Sequence, residues 1–187
     1  MDALVGEFLT SDFGTTLYKV ARYQGRGGME TGVQAAFHCF LKKNKGLTVE
    51  REVKYAGSDK ACDIVVKSGA TTTGIELKVE RDDGTGLKNF HNELSLDVFK
   101  LITEPLLAES VGKFKIDDVM VLGLVWSEDQ WDALNVVTNN LTDASHFEQK
   151  LLNALEVGAE DCPQLVVDGE APNPSEWGYI TIRPKAA

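Results

Sequence analysis

Twelve residues separate Asp63 from Glu76, and Lys78 follows two after Glu76, in the run CDIVVKSGATTTGIELKVE. Each half of the run is a short apolar stretch of β-strand character, and Lys67-Ser68-Gly69 marks a turn region between them. Residues two apart on a strand point to one face, so Glu76 and Lys78 are expected side by side. A hairpin between the halves brings Asp63 next to Glu76. Two carboxylates and one ammonium then converge on a sheet. Two hard oxygen donors suit Mg²⁺ or Mn²⁺. A lysine beside them orients or deprotonates a water, or neutralises a phosphate. Such equipment suits the cutting of a phosphodiester. The competing account of the same spacing is a solvated strand face, since Asp, Glu and Lys are frequent in an acidic chain.

The elements that must position these residues are legible around them. Residues 1–28 read as a short helix followed by the loop YQGRGG. Val33, Ala36, Phe37 and Phe40/Leu41 recur at helical spacing, which predicts a helix from about Met29 to Asn44, ended by Asn44 and Gly46. Leu47 to Tyr55 alternates as a half-buried strand, with Leu47, Val49, Val53 and Tyr55 on one face and only Arg51 breaking it. Strands over 61–67 and 73–80 come next, then the turn-rich loop RDDGTG. A second helix is expected over 90–109, its stripe formed by Leu94, Val98, Leu101 and Ile102, with a kink or early end at Pro105. Val119 to Trp126 is continuously apolar, as a strand buried on both faces should be. Ser127 then reads as an N-cap, and helical segments are expected at 128–137 and 143–156. Asp161–Glu176, with three prolines, reads as a loop, and Trp177–Arg183 as a final strand. Strands flanked by helices indicate an α/β layer fold with a mixed sheet.

The 187 residues, 43% hydrophobic, fit one domain with a sizeable core. No apolar run is long enough to span a membrane, and the acidic N-terminus lacks the basic start of a signal peptide. Cys39, Cys62 and Cys162 are scattered, without metal or CxxC spacing, and read as reduced thiols of a cytoplasmic protein. The net charge of −10 argues against a general nucleic-acid coat protein. From Lys19 to Lys60, however, nine basic residues face four acids, so this segment is +5 and the remainder −15. The segment is either a basic patch for a phosphate backbone or a set of lysines on one exposed helix end.

With its Asp63, Glu76-Leu77-Lys78 and the element order helix, three strands, helix, strand, the chain resembles the PD-(D/E)xK nuclease superfamily, the restriction-endonuclease-like fold. The resemblance covers about residues 25–126, and 127–187 is an extension. It implies an α-β-β-β-α-β core with Asp63 on the second strand and Glu76 and Lys78 on the third. Arg26-Gly27-Gly28-Met29-Glu30 is similar to the family's glycine-containing lead-in to a helix glutamate. The family often has Pro before the Asp, where this chain has Cys62. The resemblance further implies that Asp63, Glu76 and the Leu77 carbonyl hold Mg²⁺ or Mn²⁺. Glu30 then holds a water or a second ion, and Lys78 positions or activates the attacking water. The implied substrate is nucleic acid, DNA before RNA, and a homodimer is a further option, since many nucleases of this fold pair to cut both strands.

Other residues carry weaker signals. Arg26 with its glycines sits at a helix start, a natural anion site or merely a turn. Lys100 is a candidate phosphate contact or a solvated helix lysine. Glu50 and Glu52 share the polar strand face and read as a solvent-exposed edge, with one of them pointing at the site as the alternative, and Glu80 reads as the rim of the Glu76/Lys78 face. His38 reads as core or semi-core, His91 as near enough to approach substrate or neutral to it, and His146 as without a partner at ligand spacing. Trp126, Trp131 and Trp177 read as core or as a dimer surface. Two other functions remain open. One is a catalytically silent, acidic nuclease-like scaffold that acts on a protein partner as inhibitor, immunity protein or adaptor. The other is a different α/β fold in which Asp63 and Glu76 make ordinary salt bridges.

Overall fold

The computed structural model describes residues 1–24, 29–80, 116–129, 131–132, 165–173 and 176–184, together with Phe90, Leu94, Asp97 and Lys100. Two helices, α1 (Asp2–Leu9) and α2 (Asp12–Gln24), fill the segment where one helix and a loop are expected. Ser11 divides them: its hydroxyl accepts the Gly14 N–H at 3.3 Å, the N-cap arrangement that starts a new helix. Residues 25–28, including Arg26, lie outside the described residues. Helix α3 (Met29–Cys39) runs on into a π-helical turn, Phe40–Asn44, close to the expected span.

Six strands form one mixed sheet: β1 (Thr48–Lys54), β2 (Ala61–Ser68), β3 (Thr71–Val79), β4 (Asp118–Val125), β5 (Leu165–Glu170) and β6 (Gly178–Pro184), in the order β1-β2-β3-β4-β6-β5. β1, β2 and β3 are antiparallel neighbours, β3 and β4 are parallel, and the remaining pairs are antiparallel. The β2–β3 hairpin turns where expected, at Gly69, whose φ of 62° suits a residue without Cβ. β5 corrects the expected loop over 161–176. Leu165, Val166 and Val167 have strand character, and Pro172 lies beyond the strand's end, in the β5–β6 connection, where it takes no donor from the ladder.

The sheet is covered on both faces. Val5, Phe8, Tyr18, Val33, Phe37 and Leu41 from the N-terminal helices pack on Ile64, Val66, Ile75, Leu77, Met120, Leu122 and Leu124. Truncating Phe37, fully buried, to alanine would cost roughly 3–5 kcal/mol. On the opposite face Phe90 and Leu94, both helical, pack with Val65, Val121, Val125, Ile180 and Ile182. Gly123 permits this approach: a Cβ there would stand 2.7 Å from the Ile180 side chain and 3.2 Å from that of Leu94. Helical positions Phe90, Leu94, Asp97 and Lys100 thus share one stripe over the sheet. Apart from Leu94, the expected Leu94/Val98/Leu101/Ile102 stripe lies outside the described residues, as do Pro105 and the 143–156 segment. Glu128, Asp129, Trp131 and Asp132 are helical after Ser127, whose carbonyl accepts the Trp131 N–H at 3.2 Å.

The alternation expected for β1 does not hold along its length. Val49 belongs to the core under the N-terminal helices, whereas Val53 and Tyr55 belong to the core on the other face. Glu52 lies between them with φ 53°, left-handed backbone that a non-glycine residue rarely adopts. β2 switches at the same level: Ile64 and Val66 face the first core, Cys62 the second. Both strands therefore change face at Glu52 and Asp63, and Asp63 sits at the switch. No described helix is long and apolar enough to cross a membrane.

Candidate active site

The paired ladder of β2 and β3 runs from Ser68–Thr71 to Ile64–Ile75. One step further, a side chain takes the place of a main-chain partner: Asp63 Oδ2 accepts the Leu77 N–H at 2.7 Å. The face switch thus turns the Asp63 carboxylate into the seam between the two strands. There it is within hydrogen-bond contact of the Glu76 carboxyl. Burial raises the Asp63 pKa above the usual carboxylate value and the Glu30 charge adds to this, while the Leu77 N–H holds it back.

Glu76 is 1% exposed. Burial first, and the Asp63 charge second, push its pKa up to about 8. Two donors oppose this: Lys100 Nζ lies 2.7 Å from Oε1, and the Tyr55 hydroxyl donates to the same oxygen. Burial keeps the Tyr55 phenol far above its ordinary pKa, so it remains a donor. With its pKa at about 8, Glu76 keeps its proton at neutral pH, beside an Asp63 carboxyl whose own pKa is also raised. Cys62 is a buried thiol whose pKa burial pushes up to about 12, and it contributes no charge.

Lys78 Nζ stands 3.4 Å from Glu30 Oε1 and 3.5 Å from Asp97 Oδ2. The expected neighbours Glu30, Asp63, Glu76 and Lys78 therefore meet at one place. Asp97 joins them without having been expected; it is 8% exposed, and its Oδ2 is buried beside the Lys78 ammonium. Lys100 is not a solvated helix lysine: its ammonium bridges Glu76 and Asp97, at 3.6 Å from Asp97 Oδ1, and lies 5.4 Å from the Tyr55 ring centroid. Burial opposes the Lys100 charge, but the two carboxylates prevail and its pKa is raised.

Gln34, one turn after Glu30 on α3, was also missed. Its Nε2 donates to Glu52 Oε1 at 2.7 Å, to the Asp63 carbonyl at 3.0 Å and to Asp63 Oδ1 at 3.2 Å, and its Oε1 accepts from Arg51 Nη2 at 2.6 Å. Glu52 is thus not a plain solvent edge. The only signals for this group were the Glu30–Gln34 spacing and the misplaced Arg51 in an apolar pattern.

Several candidates lie elsewhere. Glu80 is 5% exposed and wholly engaged: it accepts the Trp126 N–H at 2.7 Å, the Ser127 N–H at 3.0 Å and the Ser127 hydroxyl at 2.6 Å. It ties β3 to the end of β4 and is no rim of the site. A cleft of about 470 Å³ next to it is lined by Tyr18, Trp126, Ser127, Glu128, Asp129, Pro172 and Asn173. Trp177 is core, 5% exposed, with its indole N–H on the Gly14 carbonyl at 3.0 Å. His38 is half-buried and its pKa is lowered, chiefly by burial. His91, His146 and Cys162 lie outside the described residues.

Among the described residues no group of three or more His, Cys, Asp or Glu side chains is clustered to hold a metal ion. The donor set nonetheless fits a hard divalent cation. Mg²⁺ commonly takes one or two carboxylates and completes its shell with water. Asp63 and Glu76 supply two carboxylates in mutual contact, and the Lys100 ammonium already supplies positive charge at Glu76. No family model, no curated protein and no solved structure matches the chain.

Proposed function

We propose that the protein is a metal-dependent nuclease that hydrolyses phosphodiester bonds of nucleic acid, with DNA as its substrate. The observation that carries this reading is the contact between the Asp63 and Glu76 carboxyls at the β2–β3 seam, with Lys78 two residues along the same strand. The antiparallel β1–β2–β3 arrangement followed by a parallel β4 supports the restriction-endonuclease-like core that the resemblance implies.

Asp63 and Glu76 hold the divalent cation, with the Leu77 carbonyl as the third donor the resemblance implies. When bound, the cation polarises the phosphoryl oxygen and makes a bound water more acidic. The chain's own groups do the rest. Lys78, steadied between Glu30 and Asp97, is a donor for a non-bridging phosphate oxygen and orients the water for attack. Glu30, partly exposed on α3, accepts from that water. Tyr55 and Lys100 both bind Glu76 Oε1, which limits rotation of the carboxylate.

The test is cleavage of duplex DNA, single-stranded DNA and RNA in Mg²⁺ or Mn²⁺. Wild type is expected to cut DNA, with Asp63→Asn and Lys78→Ala each slower by roughly 10²–10⁴-fold. A wild type that neither binds metal nor cuts any of the three substrates would overturn the reading. The acidic surface implied by the net charge of −10 would then favour a silent scaffold for a protein partner.

A further inference from the structure

Arg51 interrupts the apolar pattern of β1, and Gln34 is an amide only 3% exposed. Each accounts for the other. Arg51 Nη2 donates to Gln34 Oε1 at 2.6 Å. A guanidinium has donors only, so this bond decides which end of the amide is oxygen. Gln34 Nε2 is thereby turned toward Asp63 and Glu52. Its two N–H groups serve three acceptors: Glu52 Oε1 at 2.7 Å, the Asp63 carbonyl at 3.0 Å and Asp63 Oδ1 at 3.2 Å.

The choice of an amide has chemical meaning. A lysine or arginine here would hold Asp63 equally well but would cancel the charge that attracts a cation. A neutral donor fixes the carboxylate and leaves its charge in place. The position matters as well. Asp63 Oδ2 is fixed by the Leu77 N–H at 2.7 Å, so Gln34 on Oδ1 supplies the second point that sets the plane of the carboxylate. Gln34 also bonds Glu52, the left-handed residue at which β1 changes face.

We propose that Gln34 is a positioning residue of the site: oriented by Arg51, it holds the Asp63 carboxylate in the plane that, with Glu76, receives a divalent cation. The inference rests on the reading of Asp63 and Glu76 as the cation-holding pair. Arg51 acts through Gln34 and not on the cation.

Calorimetric titration of Mn²⁺ into wild type, Gln34→Leu, Arg51→Leu and the double variant tests it. Gln34→Leu is expected to bind Mn²⁺ about tenfold more weakly, the size of one lost bond to a charged group. Arg51→Leu is expected to lose less, and the double variant no more than Gln34→Leu alone, because the two act in series. A purely structural role gives additive losses. Additive losses, or wild-type affinity in Gln34→Leu, overturn the proposal. Gln34→Glu is the second variant: it keeps an acceptor for Arg51 but turns an oxygen on Asp63, and weaker Mn²⁺ binding is expected again. Failure of the wild type to bind Mn²⁺ overturns the functional reading instead. The contact itself is read without metal, from the side-chain NH₂ resonances of Gln34 in ¹⁵N NMR. They are expected to shift in Asp63→Asn, and unmoved resonances overturn the positioning role whatever the metal does.

Discussion

The carboxyls of Asp63 and Glu76 touch across the β2–β3 seam, and both are held there, Asp63 by the Leu77 N–H at 2.7 Å and Glu76 by Lys100 at 2.7 Å. Like charges pressed together in a buried place oppose folding unless one carries a proton or a cation lies between them. Once Glu76 loses its proton the pair is therefore a cost to the protein, one that a divalent cation held by both carboxyls would relieve.

The first prediction concerns stability against pH. Glu76 has a folded pKa of about 8, against an ordinary 4.5. The folded state thus holds a proton that the unfolded chain releases. The associated stability is fully present below about pH 4.5, declines as pH rises toward 8 and is gone above it. Asp63 and Asp97, also raised by burial, act in the same direction. Metal-free Glu76→Gln, with no proton to lose at this position, should show a shallower decline with rising pH than wild type. Melting temperatures of both proteins between pH 4 and 9 check this, and parallel curves would count against the assignment to Glu76.

The second prediction concerns cation uptake. A cation that binds Asp63 and Glu76 must displace the proton that Glu76 keeps at neutral pH. Affinity for Mg²⁺ or Mn²⁺ should rise with pH up to about 8, the folded pKa of Glu76, and level off above it. Titration at pH 7 in two buffers of different ionisation enthalpy should report close to one proton released per ion. Glu76→Gln should abolish the release along with most of the affinity. Proton release retained in Glu76→Gln would assign the proton elsewhere.

The sequence made the central strands legible because their signals are local. The β2–β3 hairpin arises from two apolar runs about a Gly69 turn, and β4 from an unbroken apolar run. Asp63, Glu76, Lys78 and Glu30 were legible as types at a spacing. Arg51, Gln34, Tyr55 and Asp97 were not, because their roles depend on packing between distant segments. The clearest failure is β1, where a period of two was read through Glu52. The left-handed backbone at Glu52 sends Val53 and Tyr55 to the opposite face from Val49. Nothing in the residue type announces it, since glycine or asparagine is the usual occupant of that conformation. β5 was missed because nearby prolines outweighed a short Leu-Val-Val run that a hairpin partner stabilises.

The third prediction separates Lys100 from the cation site it borders. Its ammonium lies on Glu76 Oε1, an oxygen that a divalent cation also needs. Lys100→Met should leave the carboxyl pair without its counter-charge and destabilise the metal-free protein by ~3 kcal/mol, as breaking a buried pair does. Once corrected for the Glu76 proton, whose pKa the loss of Lys100 raises, Mn²⁺ binding by the same variant should be about tenfold tighter, because no ammonium competes. Corrected affinity unchanged from wild type would mean that Lys100 and the cation do not share that oxygen.

The fourth prediction uses Glu80, which the alternation of β3 places on the same strand face as Glu76 and Lys78. Its carboxylate is saturated by the Trp126 and Ser127 N–H groups and the Ser127 hydroxyl, and it joins the ends of β3 and β4. Three donors lost together, one of them a hydroxyl able to turn to water, should make Glu80→Ala ~3 kcal/mol less stable. For a chain of this length that lowers the melting temperature by roughly 10 °C. Ser127→Ala keeps the two main-chain donors and should lose only ~1 kcal/mol. Mn²⁺ affinity below the melting range should stay within about twofold of wild type in both, since no Glu80 oxygen is free to reach a cation. Loss of Mn²⁺ binding in a folded Glu80→Ala protein would place Glu80 in the site and require that it release the β4 end when the cation binds.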